Sequence, residues 1–209
     1  MRKSRPSGSI PTSLLLSAAF ACALLGADAS NDARNEVQPY WIEPCTNPET
    51  SCVAGDVDLA RWALESWQRA SNGNLHFTAA ADRNHALIRL VWATPEMGLY
   101  GETMPVLVNG RRGAQIFIRS AATGMKDPLL RDTIVYLTCL HESGHALGLE
   151  HTAQFDDIMY SFQYGGDIPE YFGRYRRKLT KREDIRVNSG LSPADRAHLM
   201  EHIAKTAAR

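Results

Sequence analysis

The feature that most constrains this chain is the run at 141–151, which reads His-Glu-Ser-Gly-His-Ala-Leu-Gly-Leu-Glu-His. His141 and His145 are four residues apart, so on a helix their side chains project from one face, one turn apart. Two imidazoles placed in this way can bind one zinc ion, whose nitrogen ligands lie at roughly 2.0–2.1 Å. The run therefore predicts a helix that carries the first half of a metal site.

A third metal ligand requires the helix to end soon after the second histidine. Asp127 and Pro128 suit the cap and the first turn of a helix, so the predicted helix begins there and runs to Leu147. Gly148 can end it, because glycine adopts the left-handed backbone conformation that is costly for other residues. A reversal of the chain there would return His151 to the ion, whereas a continuous helix would point it away. The pattern therefore predicts one catalytic zinc ion with three protein ligands and one open position.

Glu142 is the candidate catalytic residue. It follows His141 by about 100° of helix rotation, given 3.6 residues per turn, so it flanks the metal without binding it. A carboxylate in that position can accept a proton from a water bound to the metal. Five fixed positions of these residue types arise by chance in on the order of one chain in 10⁵ at ordinary residue frequencies. The pattern therefore favours a functional site over an accidental one.

The pattern H-E-x-x-H-x-x-G-x-x-H resembles that of the metzincin zinc metallopeptidases. A second element agrees, since Asp-Ile-Met-Tyr at 157–160 resembles the family's Met-turn. The resemblance assigns to Met159 the apolar floor beneath the three histidines. Within the metzincins, 141–160 is most similar to the matrixins, the matrix metalloproteinase group. Leu-Ser-Pro-Ala-Asp at 191–195 also resembles the start of that group's last helix.

The resemblance implies a secreted zinc-dependent endopeptidase that hydrolyses peptide bonds through a zinc-bound water activated by a glutamate. It implies a metzincin-like fold, with a twisted mixed sheet, an active-site helix and a C-terminal helix. An edge strand of the sheet would pair with a protein or peptide substrate in extended conformation, and 114–119 is the candidate edge. The functional residues that the resemblance assigns are the metal ligands His141, His145 and His151 and the general base Glu142.

The chain also departs from the matrixin pattern. The histidines and aspartates that bind a second, structural zinc in many matrixins are missing between 95 and 120, so neither structural zinc nor calcium is predicted. Ser161 stands where astacins and serralysins carry a metal-binding tyrosine, which argues against those groups. The segment at about 165–190 resembles an insertion after the Met-turn. It shows no clean periodicity and contains a basic run, for which a solvated loop is the preferred interpretation.

Two other interpretations remain open at the sequence level. One is a catalytically silent, zinc-containing binding protein that acts through a basic interaction loop at 174–182, although the intact Glu142 argues against it. The other concerns His198 and His202, which match the inverted zinc-peptidase pattern H-x-x-E-H. That pattern needs a further ligand on a later helix, so a polar helix face is the preferred interpretation.

The remaining sequence predicts an α+β domain without internal repeats. Apolar residues recur at helical spacing from 57 to 70 after a possible cap at Asp56, and Ser192 and Asp195 resemble a capping box for a last helix. Alternating apolar and polar residues mark short strands. The predicted strands are 40–42, 75–78, 86–94, 106–108 and 114–119.

The N-terminal segment predicts export. Basic residues precede a short apolar stretch at 14–25, and Ala-Asp-Ala at 27–29 fits a signal-peptide cleavage site. We therefore expect a signal peptide at 1–29, a catalytic domain at 30–209, and a secreted or periplasmic protein without a membrane span after cleavage. In an oxidising compartment, Cys45 and Cys52 are predicted to form a disulfide, and Cys139 to remain a buried thiol.

The overall charge gives no reason to expect a nucleic-acid partner. Lysines and arginines number 23, as do aspartates and glutamates, so the formal net charge is zero. A monomer is expected.

Overall fold

The computed structural model describes residues 36–120 and 125–208, and the predicted signal peptide lies outside them. Over these ranges the chain is α+β, with helices and a mixed five-stranded sheet, so the coarse fold class is confirmed. The strands are β1 (Glu36–Ile42), β2 (Leu75–Ala79), β3 (Ile88–Trp92), β4 (Gly101–Val108) and β5 (Arg111–Ile118). The helices are α1 (Asp56–Ala70), α2 (Pro128–Ala146), α3 (Ile168–Arg176), α4 (Asp184–Val187) and α5 (Pro193–Ala207).

The sheet places β4, not β5, at the edge beside α2. The strand order is β2-β1-β3-β5-β4; β4 pairs antiparallel with β5, and all other pairs are parallel. The prediction that 114–119 forms the edge was therefore wrong, because the turn at Asn109 and Gly110 folds β4 onto the outer side of β5. Pro105 lies within β4, and proline in a sheet is confined essentially to edge strands and bulges.

The long helices α1 and α2 pack together on the sheet and form the core that positions the site. Trp67 of α1 is fully buried, and its indole N–H donates to the carbonyl of Leu140 on α2 over 2.9 Å. The hydroxyls of Ser66 and Tyr136 are 2.9 Å apart across the same interface. These contacts fix the second half of α2 against α1.

A buried ion pair joins the starts of the two helices. Asp56 accepts two hydrogen bonds from Arg131, at 2.7 and 2.8 Å, and a third from Ser120 at 2.9 Å. The sequence predicted Asp56 as the cap of α1, but it is the first helical residue and Gly55 precedes it at the cap position. The carboxylate of Asp56 therefore serves mainly to fix α2 against α1.

The segment 165–190 is folded onto the body, whereas the sequence predicted an irregular, solvated stretch. It contains α3 and α4, which are too short to show a clear helical periodicity, and it buries apolar side chains such as Phe172 and Ile185. Five of its arginines form ion pairs with carboxylates. The pairs are Arg174 with Asp156, Arg176 with Asp127, Arg177 with Glu170, Arg182 with Asp132, and Arg186 with Glu65.

Two observations bear on the compartment. Cys45 and Cys52 form the predicted disulfide, which indicates an oxidising environment, and Cys139 is a buried free thiol as predicted. In the described part of the chain, no helix combines the length and the apolar character that crossing a membrane requires.

Candidate metal centre

Helix α2, which carries His141 and His145, begins and ends where the sequence predicted. Asp127 caps α2 by accepting hydrogen bonds from the N–H groups of Leu129 and Leu130 at 3.0 and 3.1 Å. At the other end, Leu147 is the cap residue and Gly148 adopts a φ of +88°, in the left-handed region. The chain therefore reverses directly after α2, which is the condition for a third histidine to return.

The three predicted metal ligands converge. The Nε2 atom of His151 lies 3.2 Å from Nε2 of His141 and 3.0 Å from Nε2 of His145. Two nitrogens bound to one tetrahedral ion at about 2.05 Å would be roughly 3.3 Å apart, so the spacing is close to what one metal ion requires. All three ligand atoms lie within 4.8 Å of one another.

Backbone carbonyls orient the two helical histidines. Nδ1 of His141 lies 2.6 Å from the carbonyl oxygen of Ile158, and Nδ1 of His145 lies 2.8 Å from that of Leu149. A carbonyl can only accept, so each Nδ1 carries a proton, and in its neutral form each ring presents a lone pair at Nε2. Desolvation also lowers the pKa of His141 to about 4 and lowers the pKa of His151, which keeps these rings neutral at physiological pH.

This proton arrangement favours a bound cation. With neutral rings, only His151 can carry a proton on Nε2, so at least two lone pairs face each other at the centre of the cluster. A cation placed between them would remove that repulsion. Three imidazole nitrogens in tetrahedral geometry suit zinc, and imidazole also binds copper, iron and nickel. The residues present therefore fit a metal ion of this class.

Glu142 lies beside the three histidines and belongs to the wall of the same cavity. Its side chain is buried, and this desolvation raises its pKa to about 7, while a hydrogen bond from Thr103 lowers it and the nearby Glu102 raises it further. A carboxyl group whose pKa lies near neutrality can both accept and release a proton under physiological conditions. Glu142 therefore lies next to the three histidines, outside the group of possible metal ligands, as the helix geometry predicted.

Met159, to which the resemblance assigned the floor of the site, packs on α2 beside Gly144. It is fully buried, and its sulfur packs so closely on Gly144 that any side chain at that position would collide with it. The segment after His151 closes this turn, since the N–H of Thr152 donates to the Met159 carbonyl over 2.8 Å. A glycine one residue before His145 thus lets the methionine reach the helix.

Sequence reasoning missed the groups that hold the turn from the C-terminal side. Asp195 was predicted only as part of the capping box of α5, which is present. Its carboxylate also accepts hydrogen bonds from the N–H groups of Ile158 at 2.9 Å and Met159 at 3.4 Å. In addition, the hydroxyl of Tyr171 in α3 donates to the Ile158 carbonyl over 3.1 Å, the same oxygen that orients His141. These partners lie too far along the chain for a local motif to reveal them.

Replacing Asp195 with alanine is expected to destabilise the fold by about 3 kcal/mol, because it leaves buried backbone N–H groups of the turn and of the α5 cap without an acceptor. For a chain of this size that corresponds to a fall in Tm of roughly 6–12 °C. Thermal unfolding measures it, with Asp156→Ala as the control, since the side chain of Asp156 is 92% exposed. Equal Tm values for the two variants would show that Asp195 does not hold the turn.

A cavity of about 410 Å³ opens beside the three histidines. Its walls come from the edge strand β4, from α2, from the turn after Met159 and from α3, and many of them are aromatic. The lining side chains include Leu99, Tyr100, Leu137, Tyr160, Phe162 and Phe172.

The sequence matches no protein-family model, and no curated protein matches it. The functional assignment therefore depends on the chemistry of the site.

The second histidine pattern does not form a comparable centre. Neither His198 nor His202 belongs to a group of three or more potential metal ligands in the part of the chain that the structure describes. The ring of His202 instead packs against Gly148, where an added Cβ would lie 2.7 Å from it. The preferred interpretation, a helix face without a metal, is consistent with these contacts.

Proposed function

We propose that the protein is a zinc-dependent endopeptidase of the metzincin type, closest to the matrixins. The observation that carries the proposal is the convergence of three imidazole Nε2 atoms beside the buried carboxyl group of Glu142, in one cavity. The buried Met159, which packs on Gly144 one residue before His145, supports this assignment. So does the order of elements, with a mixed sheet, an active-site helix and a C-terminal helix.

The proposed chemistry assigns a separate task to each group. The Nδ1 hydrogen bonds of His141 and His145 hold both rings with Nε2 toward the metal position. Zinc bound there would supply a Lewis acid that lowers the pKa of a coordinated water and polarises the peptide carbonyl. Glu142 would accept a proton from the attacking water and donate it to the leaving amine, so that the same carboxyl group acts first as base and then as acid.

The edge strand is suited to bind an extended peptide. The N–H of Arg119 donates to the carbonyl of Tyr100, so backbone groups of alternate residues of β4 point toward β5. The backbone N–H and C=O groups of Gly101 and Thr103 consequently point away from β5, toward the cavity beside the histidines. A substrate strand could pair with them while one of its side chains enters the aromatic cavity, for which an apolar residue is the best match.

The alternative of a silent binding protein with a basic loop receives less support. Five arginines between 174 and 186 already pair with carboxylates, so the segment presents less free positive charge than the sequence suggested. The buried position of Glu142 beside the ligands would also have no purpose in such a protein. An exported location, secreted or periplasmic, is part of our proposal, which the disulfide supports.

The decisive experiment is cleavage-site profiling on a mixed peptide library with zinc-loaded protein. We expect internal cleavage that stops when a chelator removes the metal and returns when zinc is restored. Adding back cobalt, copper or nickel in parallel would identify which ions support activity. Cleavage that persists in chelator, or the absence of any cleavage by fully metal-loaded protein, would overturn the proposal.

A further inference from the structure

Thr103 of the edge strand contacts the proposed catalytic carboxyl group directly. Its Oγ1 lies 2.7 Å from Oε2 of Glu142 and 2.9 Å from the backbone carbonyl oxygen of the same residue. The two residues are 39 positions apart, so the contact exists only because β4 lies across α2. Both distances are within the range of good O–H···O hydrogen bonds.

The number of protons limits what this contact can do. A threonine hydroxyl has one proton to donate and lone pairs to accept with. When Glu142 is ionised, Thr103 can donate to Oε2. When Glu142 carries a proton on Oε1, Oε2 keeps its lone pairs and can still accept from the Thr103 hydroxyl. The same geometry therefore provides a hydrogen bond to the carboxyl group in both of its protonation states.

Strand β4 approaches the Glu142 side chain so closely that it restricts the rotamers of that side chain. Gly101 and Thr103 are two residues apart on a strand, so their α-substituents project to the same side, toward α2. A Cβ at Gly101 would lie 2.6 Å from Cγ and 2.9 Å from Oε1 of Glu142. The strand therefore lies directly against this side chain and leaves it little room to change rotamer.

We infer that Thr103 is a positioning residue for Glu142: by occupying Oε2 it directs Oε1 toward the cleft, where the reacting water and the leaving amine would lie. The inference rests on the proposed endopeptidase function. No other residue has a side-chain hydrogen bond to the Glu142 carboxylate among those that the structure describes. A side chain held by a single partner and by strand packing should depend strongly on that partner.

The test compares Thr103→Val, which keeps the shape and removes the hydroxyl, with Thr103→Ser, which keeps the hydroxyl. In zinc-loaded protein we expect Thr103→Val to lower kcat by about 10- to 100-fold, as the loss of one hydrogen bond to a charged group implies. KM and zinc content should change little, and Thr103→Ser should stay within about threefold of the wild type. Equal losses in both variants, loss of zinc, or a change in KM alone would overturn the inference.

A second readout does not depend on turnover. Crystal structures of the metal-free wild type and of Thr103→Val should show Oγ1 within hydrogen-bond distance of Oε2 in the former and a displaced Glu142 carboxyl group in the latter. An unchanged carboxyl position in the valine variant would overturn the inference. If the wild type cleaves no peptide, the proposed function fails, and these structures still decide whether Thr103 positions Glu142.

Discussion

Glu142→Gln is expected to retain stoichiometric zinc and to lose about 100- to 10,000-fold in kcat, the range that general acid–base groups contribute. The amide is close to the carboxyl group in shape, and it can still accept a hydrogen bond from Thr103. It cannot take a proton from the attacking water or return one to the amine. The change therefore removes the chemistry and leaves the metal centre in place.

The measurement combines kcat on the best library peptide with zinc content by atomic absorption. Glu102→Gln is a matched control, because Glu102 lies in the same cavity wall and is exposed. It should keep its kcat within a few-fold of the wild type, since the site assigns it no proton transfer. Undiminished turnover in the Glu142 variant would remove this residue from the mechanism.

His145→Ala is expected to abolish stable zinc binding and, with it, all peptide cleavage. Its Nε2 lies 3.0 Å from that of His151, and no fourth residue joins these three ligands among those that the structure describes. The two remaining histidines provide too few ligands for a stable zinc site. The variant should therefore contain less than about a tenth of the zinc of the wild type after dialysis, because losing even a hydrogen-bond partner of a ligand typically costs about 10- to 100-fold in metal affinity.

Thermal unfolding gives a second measurement of the same loss. Free zinc at about 1,000 times its Kd should stabilise the wild type by about 4 kcal/mol through mass action and leave His145→Ala unaffected. His198→Ala serves as the control, because His198 is an exposed histidine of the second pattern. The assignment would be refuted by a His145 variant that binds one equivalent of zinc, or by an equal loss of zinc in the control.

Local sequence signals predicted the centre of the site because each one is contained in a few neighbouring residues. The spacing of His141 and His145 depends only on helix geometry, and the reversal depends only on the backbone freedom of Gly148. The pairing of Cys45 with Cys52 likewise spans a short loop. For these features the sequence pattern and the structure agree because no distant contact competes with them.

Features that depend on distant contacts were missed. β4 was recognised only at its end, since Gly101 and Pro105 are poor strand residues, and the strand is stabilised by pairing with β5. Helix α3 was not predicted either, because its basic side chains look solvated until their partners on the body, such as Asp127, are brought close. The roles of Thr103 and Asp195 depend on contacts of the same long range.

Pro105 also limits what can attach to the edge of the sheet. Its partner Ala114 donates its N–H to the carbonyl of Leu87, the residue before β3, so Pro105 and Ala114 form a pair without hydrogen bonds between them. Its nitrogen consequently faces solvent and has no hydrogen to donate. An incoming chain can form a ladder beside Gly101 and Thr103, but the ladder is interrupted further along. The edge thus stays open to a short peptide while resisting edge-to-edge polymerisation with other copies of itself.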